Sequence, residues 1–454
     1  MDAPSTTPRR PSPRRLLALL EINRAVFYAI LLRLWQLLAG AGTIILMTQF
    51  FSKETQGYYY TFASLVAMQT FFELGLNIVV INICSHEWAQ LELDETGAIR
   101  GDARSRSRLV SLGRMLFRWY GVASILFTVV AGSVGVYFLN EQPDVGVQWH
   151  SPWLVLAIVS GLLLWTLPFN AMLEGCDQVT TVNRFRLIQA IMANVSVWTV
   201  MIIGGGLWVA VAATSARLVC DLYLLLVRYR HFFAPFFKSP GEHLISWKDE
   251  VWPLQWRLAV GGVFSYFAFF LLTPVMISYH GAVVAGQMGM TWTVVTAIQA
   301  AAIAWVQTRV PRFGMLVKEH DFSELDRVFR RVTLFGAVAM ILAGGTFWLL
   351  LYGLNSLEFR VAGRLLAPLP TGLLLLAALV QMLANSLVFY VRAHKQEPFL
   401  VISVISNCLI GLMIWRLGSW YGPTGAAIGL LAENAMFTLP AHWMIWMQCR
   451  RHQN

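Results

Sequence analysis

Long apolar stretches recur along the chain, each close to the length of a bilayer crossing and each closed by short polar punctuation. About 20 mostly apolar residues cross the hydrocarbon core as a helix, and that ruler predicts twelve spans. Six fall at 29–51, 57–83, 116–139, 152–173, 186–204 and 207–227. Six more fall at 255–277, 284–307, 332–352, 365–390, 398–418 and 424–447. Gly204-Gly205-Gly206 interrupts an otherwise continuous apolar run, and the length of that run calls for two spans.

Lysine and arginine set the expected orientation, because they accumulate in cytoplasmic loops. With the N-terminus inside, the inside segments hold Arg9, Arg10, Arg14, Arg15, Arg24, the run from Arg100 to Arg118, Arg184, Arg186, Arg228, Arg230, Lys238 and Lys248. They continue with the basic residues from Arg309 to Arg331, then Arg392, Lys395, Arg450 and Arg451. The outside segments hold Lys53, Arg360, Arg364 and, at the edge of a span, Arg416. Such a bias requires an even number of spans with both termini cytoplasmic.

The two halves resemble each other. Gly57-Tyr58-Tyr59 opens span 2 as Gly286-Gln287-Met288-Gly289 opens span 8. Leu112 to Arg118 leads into span 3 as Leu325 to Arg331 leads into span 9, and Gly206 to Ala210 enters span 6 as Gly422 to Ala427 enters span 12. The shared order implies a duplicated six-helix unit. Six is even, so the repeats run parallel about an axis along the membrane normal, the usual build of a transporter with its site between halves. The expected fold is therefore all-α and membrane-embedded, in two six-helix lobes. Its parts are a basic tail and interfacial segment (1–28), the first lobe (29–230), a linker (231–254), the second lobe (255–447) and a tail (448–454).

Composition agrees with a lipid environment. Of 454 residues, 57% are apolar and 13% charged, about half the charge of an average soluble domain. The net charge of +10 is explained by the inside loops, with no need of nucleic acid. Five cysteines form no CxxC pair, His86-Glu87 lacks the second histidine of a zincin, and no glycine-rich phosphate loop appears. No cofactor, metal site or catalytic residue is read. The N-terminal Pro-, Ser- and Arg-rich stretch reads as a basic tail, and 84–115 as a solvated, partly helical linker with its basic half against anionic lipid.

Ionisable groups inside spans are expensive and mark function or packing. Gln69, Glu73 and Asn77 recur at four-residue intervals in span 2, a stripe that lines a cavity or locks helices together by hydrogen bonds. Arg217 and Asp221 lie one turn apart in span 6, either as an internal ion pair or with Arg217 turned to an anionic headgroup. Glu433 and Asn434 occupy the matching part of span 12. Arg33 and Arg257, near the inside ends of spans 1 and 7, either snorkel to the headgroups or form a basic entrance. Gln287, Trp292, Gln299 and Trp305 on span 8 offer groups for sugar hydroxyls and rings, though tryptophan at span ends commonly anchors to the interface. Pro168, Pro274 and Pro370 are candidate bends.

Ser52 to Phe62, followed by Phe72-Glu73-Leu74-Gly75-Leu76, resembles the first hairpin of polysaccharide exporters and O-antigen flippases of the multidrug/oligosaccharidyl-lipid/polysaccharide superfamily. Leu173-Glu174-Gly175 and the Gly422–Gly429 turn resemble further features of that family. The resemblance covers nearly the whole chain through turn and packing signatures. It implies two lobes in a V, a cationic central cavity and alternating access driven by an ion gradient or membrane potential. Span 1 carries no acid, unlike many multidrug antiporters of the superfamily, and twelve spans fall short of the fourteen of peptidoglycan-precursor flippases. Both departures favour the sugar-exporting branch.

The expected function is movement of a polyprenyl-pyrophosphate-linked oligosaccharide across the inner membrane. Arg217, Arg33 and Arg257 would meet the pyrophosphate, with Gln287 and Gln299 on the substrate. Glu73, Asp221 and Glu433 would couple or gate, and Gln69, Asn77 and Asn434 would line the cavity. Expected partners are the lipid-linked saccharide, membrane lipids, a proton or sodium ion, and the polysaccharide polymerase machinery. The alternative is a cation-coupled exporter of drugs or metabolites. A membrane enzyme is disfavoured, because the outside loops are too short to carry acids and histidines over a substrate.

Overall fold

The computed structural model describes residues 24–237, 243–394 and 398–451; the basic tail before Arg24, Lys238 and Lys395 lie outside the described residues. Helix α1 spans Arg24–Phe50, α2 Lys53–Glu73 and α3 Leu76–Trp88. A short hairpin of β1 (Leu91–Leu93) and β2 (Ile99–Gly101) follows. Then come α4 (Ala103–Asn140), α5 (His150–Gly175), α6 (Val179–Ile202) and α7 (Trp208–Arg228). The second half holds α8 (Trp252–Phe269), α9 (Leu272–Gln307), α10 (Val310–Lys318), α11 (Phe322–Ser356), α12 (Pro368–Ala393) and α13 (Leu400–Arg451).

By length and composition, nine helical stretches among the described residues suffice to cross a membrane, or ten when the bent pair α2/α3 counts as one. Two of these are double. The stretches Gln255–Lys318 and Leu400–Arg451 hold 64 and 52 residues, far beyond one crossing. Each contains a glycine off the helical path, Gly281 (φ 85°) and Gly422 (φ 62°). Positive φ of this kind is open to glycine at no steric cost. Division there recovers the twelve segments expected from hydropathy. The Gly204–Gly206 break likewise separates α6 from α7.

The outward surface is what lipid requires. Leu38, Ile125, Leu349 and Met436 are exposed on helix flanks, a pattern that would form intolerable apolar patches in water. Inside each half the same pairs of helices pack: α1 on α6 as α8 on α13, α4 on α5 as α11 on α12, and α5 on α7 as α12 on the end of α13. The chain is a multi-pass membrane protein whose two halves repeat one six-helix plan.

Two local expectations change. Span 2 is not one straight helix. Leu74 and Gly75 both adopt left-handed backbone (φ 51° and 67°), which bends α2 from α3 by 46°. The 84–115 linker contains a β-hairpin, because Asp94 Oδ1 accepts from the Thr96 and Ala98 N–H groups and Gly97 supplies a positive φ. Helix α4 then starts early, capped by Asp102 accepting from Ser105 N–H (2.8 Å).

Alternate loops place 51–52, 141–149, 203–207, Gly281, 357–367 and Gly422 on one end, here the far face. The other end, the basic face, carries Arg114, Arg118, Arg184, Arg312, Arg330 and Arg450. The halves meet most extensively along α2 and α9. Their axes come close because Gly57 faces Gly286: a Cβ on Gly286 would lie 2.9 Å from Gly57 N. Small residues at a membrane helix crossing serve this purpose.

Candidate functional site

Of the residues expected around a cavity between the halves, Gln69, Asn77, Arg217 and Asp221 share one cavity, and it lies within the first half. A cavity of about 240 Å3 opens within the first half, lined by Gln69 of α2, Asn77 of α3, Asn170 of α5, Arg186 and Gln189 of α6, and Arg217 and Asp221 of α7. Glu73 is not among the lining residues. The stripe predicted for Gln69, Glu73 and Asn77 assumed an unbroken helix, and the left-handed pair at 74–75 reorients the chain directly after Glu73. Glu73 is half-buried and forms no hydrogen bond or ion pair among the described residues.

Asp221 anchors the cavity floor. It is 3% exposed, and its carboxylate accepts from Thr166 Oγ1 (3.0 Å), Asn170 Nδ2 (3.0 Å) and Gln189 Nε2. Those donors come from α5 and α6, so the acid fixes three helices at one point. Arg217 does not pair with it. The one-turn spacing allowed an ion pair, but Asp221 is saturated by neutral donors and Arg217 stays exposed with no ion pair among the described residues. Arg186 is bound by Glu174. Four amide side chains, an unpaired guanidinium and a buried carboxylate therefore surround one small space.

The second half holds a related but sealed arrangement. Glu433 is 2% exposed and accepts from Thr438 Oγ1 at 2.9 Å, and Thr438 meets Ser406 at 2.6 Å. Asn434 is equally buried; its amide donates to Leu430 O (2.9 Å) and its Oδ1 has no partner among the described residues. Asp221 and Glu433 each lie just before a π-turn, over Leu224–Arg228 and Asn434–Thr438. Single π-turns of this kind cluster at functional positions.

The remaining expected residues lie apart. Gln287 donates to Gly363 O (3.1 Å) on the far face, and Gln299 to Ala378 O (3.0 Å) within the second half. Both are committed to backbone carbonyls. Arg33 and Arg257 are exposed, Arg257 over the Trp256 ring at 5.6 Å, as snorkelling side chains are. Trp305 is exposed.

Arg364 was legible only as an outside charge, yet it ties the far face together. Its guanidinium donates to Thr48 O (3.2 Å) and Phe51 O at the end of α1, and lies 3.5 Å from Gln56 Oε1. The free carbonyls and dipole of a helix C-terminus suit a cation. Gln56, 1% exposed, donates to Gly286 O (2.9 Å) and Arg364 O (3.0 Å). Leu366 N–H adds a bond to Thr291 Oγ1 (3.0 Å). Both halves are thus joined at this end.

Solved structures share this architecture along nearly its whole length. A multidrug resistance MATE family transporter of the MOP superfamily, in an inward-facing conformation, aligns with TM-score 0.63 and 11% identity, over 94% of this chain and 99% of its own. The lipid II flippase MurJ, in an inward closed conformation, aligns with TM-score 0.62 and 10% identity, over 94% and 90%. The eukaryotic MATE transporter AtDTX14 gives TM-score 0.57 and 12% identity, over 96% and 98%. At these identities the likeness is one of fold. No protein-family model and no curated protein matches the sequence.

Proposed function

We propose that the protein is a flippase for a polyprenyl-pyrophosphate-linked oligosaccharide, working by alternating access between two six-helix lobes. The observation that carries this reading is the cavity chemistry. Amides both donate and accept, so Gln69, Asn77, Asn170 and Gln189 suit the mixed hydroxyls of a sugar. Arg217, exposed and without an ion pair among the described residues, suits a phosphate through two parallel hydrogen bonds. The cavity is smaller than the roughly 300–1,000 Å3 usual for whole ligands, so it takes a sugar or phosphate fragment while the rest lies between the lobes. A polar head cannot cross hydrocarbon unaided, and a hydrated wall of this kind supplies what the lipid does not.

In this proposal the lobes run over 29–230 and 255–447, joined by the linker 231–254. The basic face is cytoplasmic, the membrane is the inner membrane, and the polymerase machinery receives the product. Arg33 and Arg257 form the basic approach, Asp221 and Glu433 take up a proton or sodium ion or hold gates, and Glu73 gates at the α2 bend. Deletion of the gene tests it: the lipid-linked oligosaccharide accumulates on the cytoplasmic leaflet. Surface glycans that stay unchanged overturn it.

A second reading, cation-coupled export of a drug or metabolite, is favoured by the buried acids Asp221 and Glu433 and by the transporter fold. It predicts that deletion sensitises cells to cationic dyes and leaves glycans intact. The two outcomes exclude each other.

A further inference from the structure

At the basic face the segment before α8 folds back on α4. Ser107 Oγ donates to His243 O (2.9 Å), and Ile245 N–H donates to Ser111 Oγ (3.3 Å). Arg108 bridges Glu87 (2.7 Å) and Glu250, while Ile245 and Val251 are buried. Between this segment and α4 runs a groove of about 810 Å3 whose lining includes Arg114, Met115, Arg118, Trp119, Val122 and Trp247.

The lining is graded by chemistry along the helix. Arg114 and Arg118 sit one turn apart at the basic end, and Arg118 is exposed with no ion pair among the described residues. The Trp119 and Trp247 rings follow, 5.6 Å apart. Val122, Ile125 and Val129 then continue on the same face of α4, all exposed. Cation, amphipathic ring, aliphatic stripe is the order of phosphate, ester and acyl chain in a phospholipid. Tryptophan favours the headgroup level, and basic side chains there attract anionic lipid.

We propose that this groove is a binding site for an anionic glycerophospholipid. Its phosphate lies on Arg114 and Arg118, its ester region against the tryptophan pair, and one chain along Val122, Ile125 and Val129. A lipid seated there braces the segment 243–251 against α4 and so bears on the connection between the halves. The site lies outside the proposed cargo cavity, and its occupancy is read without any transport measurement.

Native mass spectrometry of the full-length protein tests it, with phosphatidylglycerol or phosphatidylcholine of matched chains added to the detergent. Phosphatidylglycerol adducts dominate on the unaltered protein, and a co-purified polyprenyl phosphate is separated by its mass. Arg118→Gln and Arg114→Gln each weaken phosphatidylglycerol binding roughly fivefold, as loss of one interfacial charge does. Trp247→Ala weakens it with no change of charge. Arg331→Gln, at an exposed arginine of the same face on α11, leaves it unchanged. Arg118 is exposed, so its variant keeps the thermal transition of the parent and carries the test if Arg114→Gln fails to fold. Equal retention of phosphatidylcholine, undiminished binding by Arg118→Gln, or an equal loss in Arg331→Gln overturns the proposal.

Discussion

Two charged residues on α7 stand one turn apart and do opposite work. Asp221 is buried and accepts from three side chains on two neighbouring helices, whereas Arg217 is exposed with no ion pair among the described residues. Arg217→Ala is therefore expected to abolish transport while shifting stability by less than about 0.5 kcal/mol, the usual range for surface changes. Asp221→Asn replaces one acceptor oxygen by a donor facing other donors, and is expected to cost about 1–3 kcal/mol. Thermal unfolding in detergent beside a flux assay separates the two; an Asp221→Asn protein as stable as its parent contradicts the network. The sequence made Arg217, Asp221, Gln69 and Asn77 visible because polar groups inside apolar spans stand out. It hid Asn170 and Gln189, whose roles depend on which helix faces α7, and Arg364, whose partners are backbone carbonyls distant in sequence.

At the scale of elements, lengths and breaks were mostly written in glycine and charge. The Gly204–Gly206 and Gly422 turns were readable, whereas Gly57 and Gly286 read only as matching span openings, and their close approach depends on how α2 and α9 pack. The bend after Glu73 was not, since Leu74 gives no sign of a left-handed conformation. Arg364→Ala removes bonds from a charged donor, each worth about 1.5–3 kcal/mol, from the contact of α1, α2 and α9. The far face should open more often, so a cysteine at Thr291, buried in the parent, should react faster with an impermeant maleimide in a Cys408→Ser background. An unchanged rate would show that the glycine crossing closes this face unaided. On the basic face, Arg108, aided by Ser246 N–H, holds the Glu250 carboxyl below the usual glutamate range. A depressed value in the folded state gives stability that is complete above the ordinary value and lost as the pH falls through the depressed one. Proteolysis within 243–251 should thus stay slow at neutral pH and quicken only in acid below the ordinary glutamate range, and Glu250→Gln should remove that pH dependence.

For the whole molecule, the decisive relation is between two similar halves. Their pairwise packing repeats, but one half encloses a polar cavity open to Arg217 and the other seals Glu433 among hydroxyls. Under the proposed function a repeat with unequal interiors divides the labour, cargo on one side and control on the other, and both halves converge at the far face on Gln56, Gly286 and Arg364. The proposed alternating access requires that convergence to part in every cycle. A protein carrying Gln56→Cys and Arg364→Cys, with Cys408→Ser to remove the exposed thiol among the described cysteines, puts this to a direct trial. Bridging the pair with a short, reducible bis-thiol reagent should stop transport, and cutting the bridge should restore it to the level of the same protein before treatment. Because each protein is its own reference, any loss caused by the substitutions cancels. Transport that continues at the unbridged rate would mean that cargo leaves by a route other than the gap between α2 and α9.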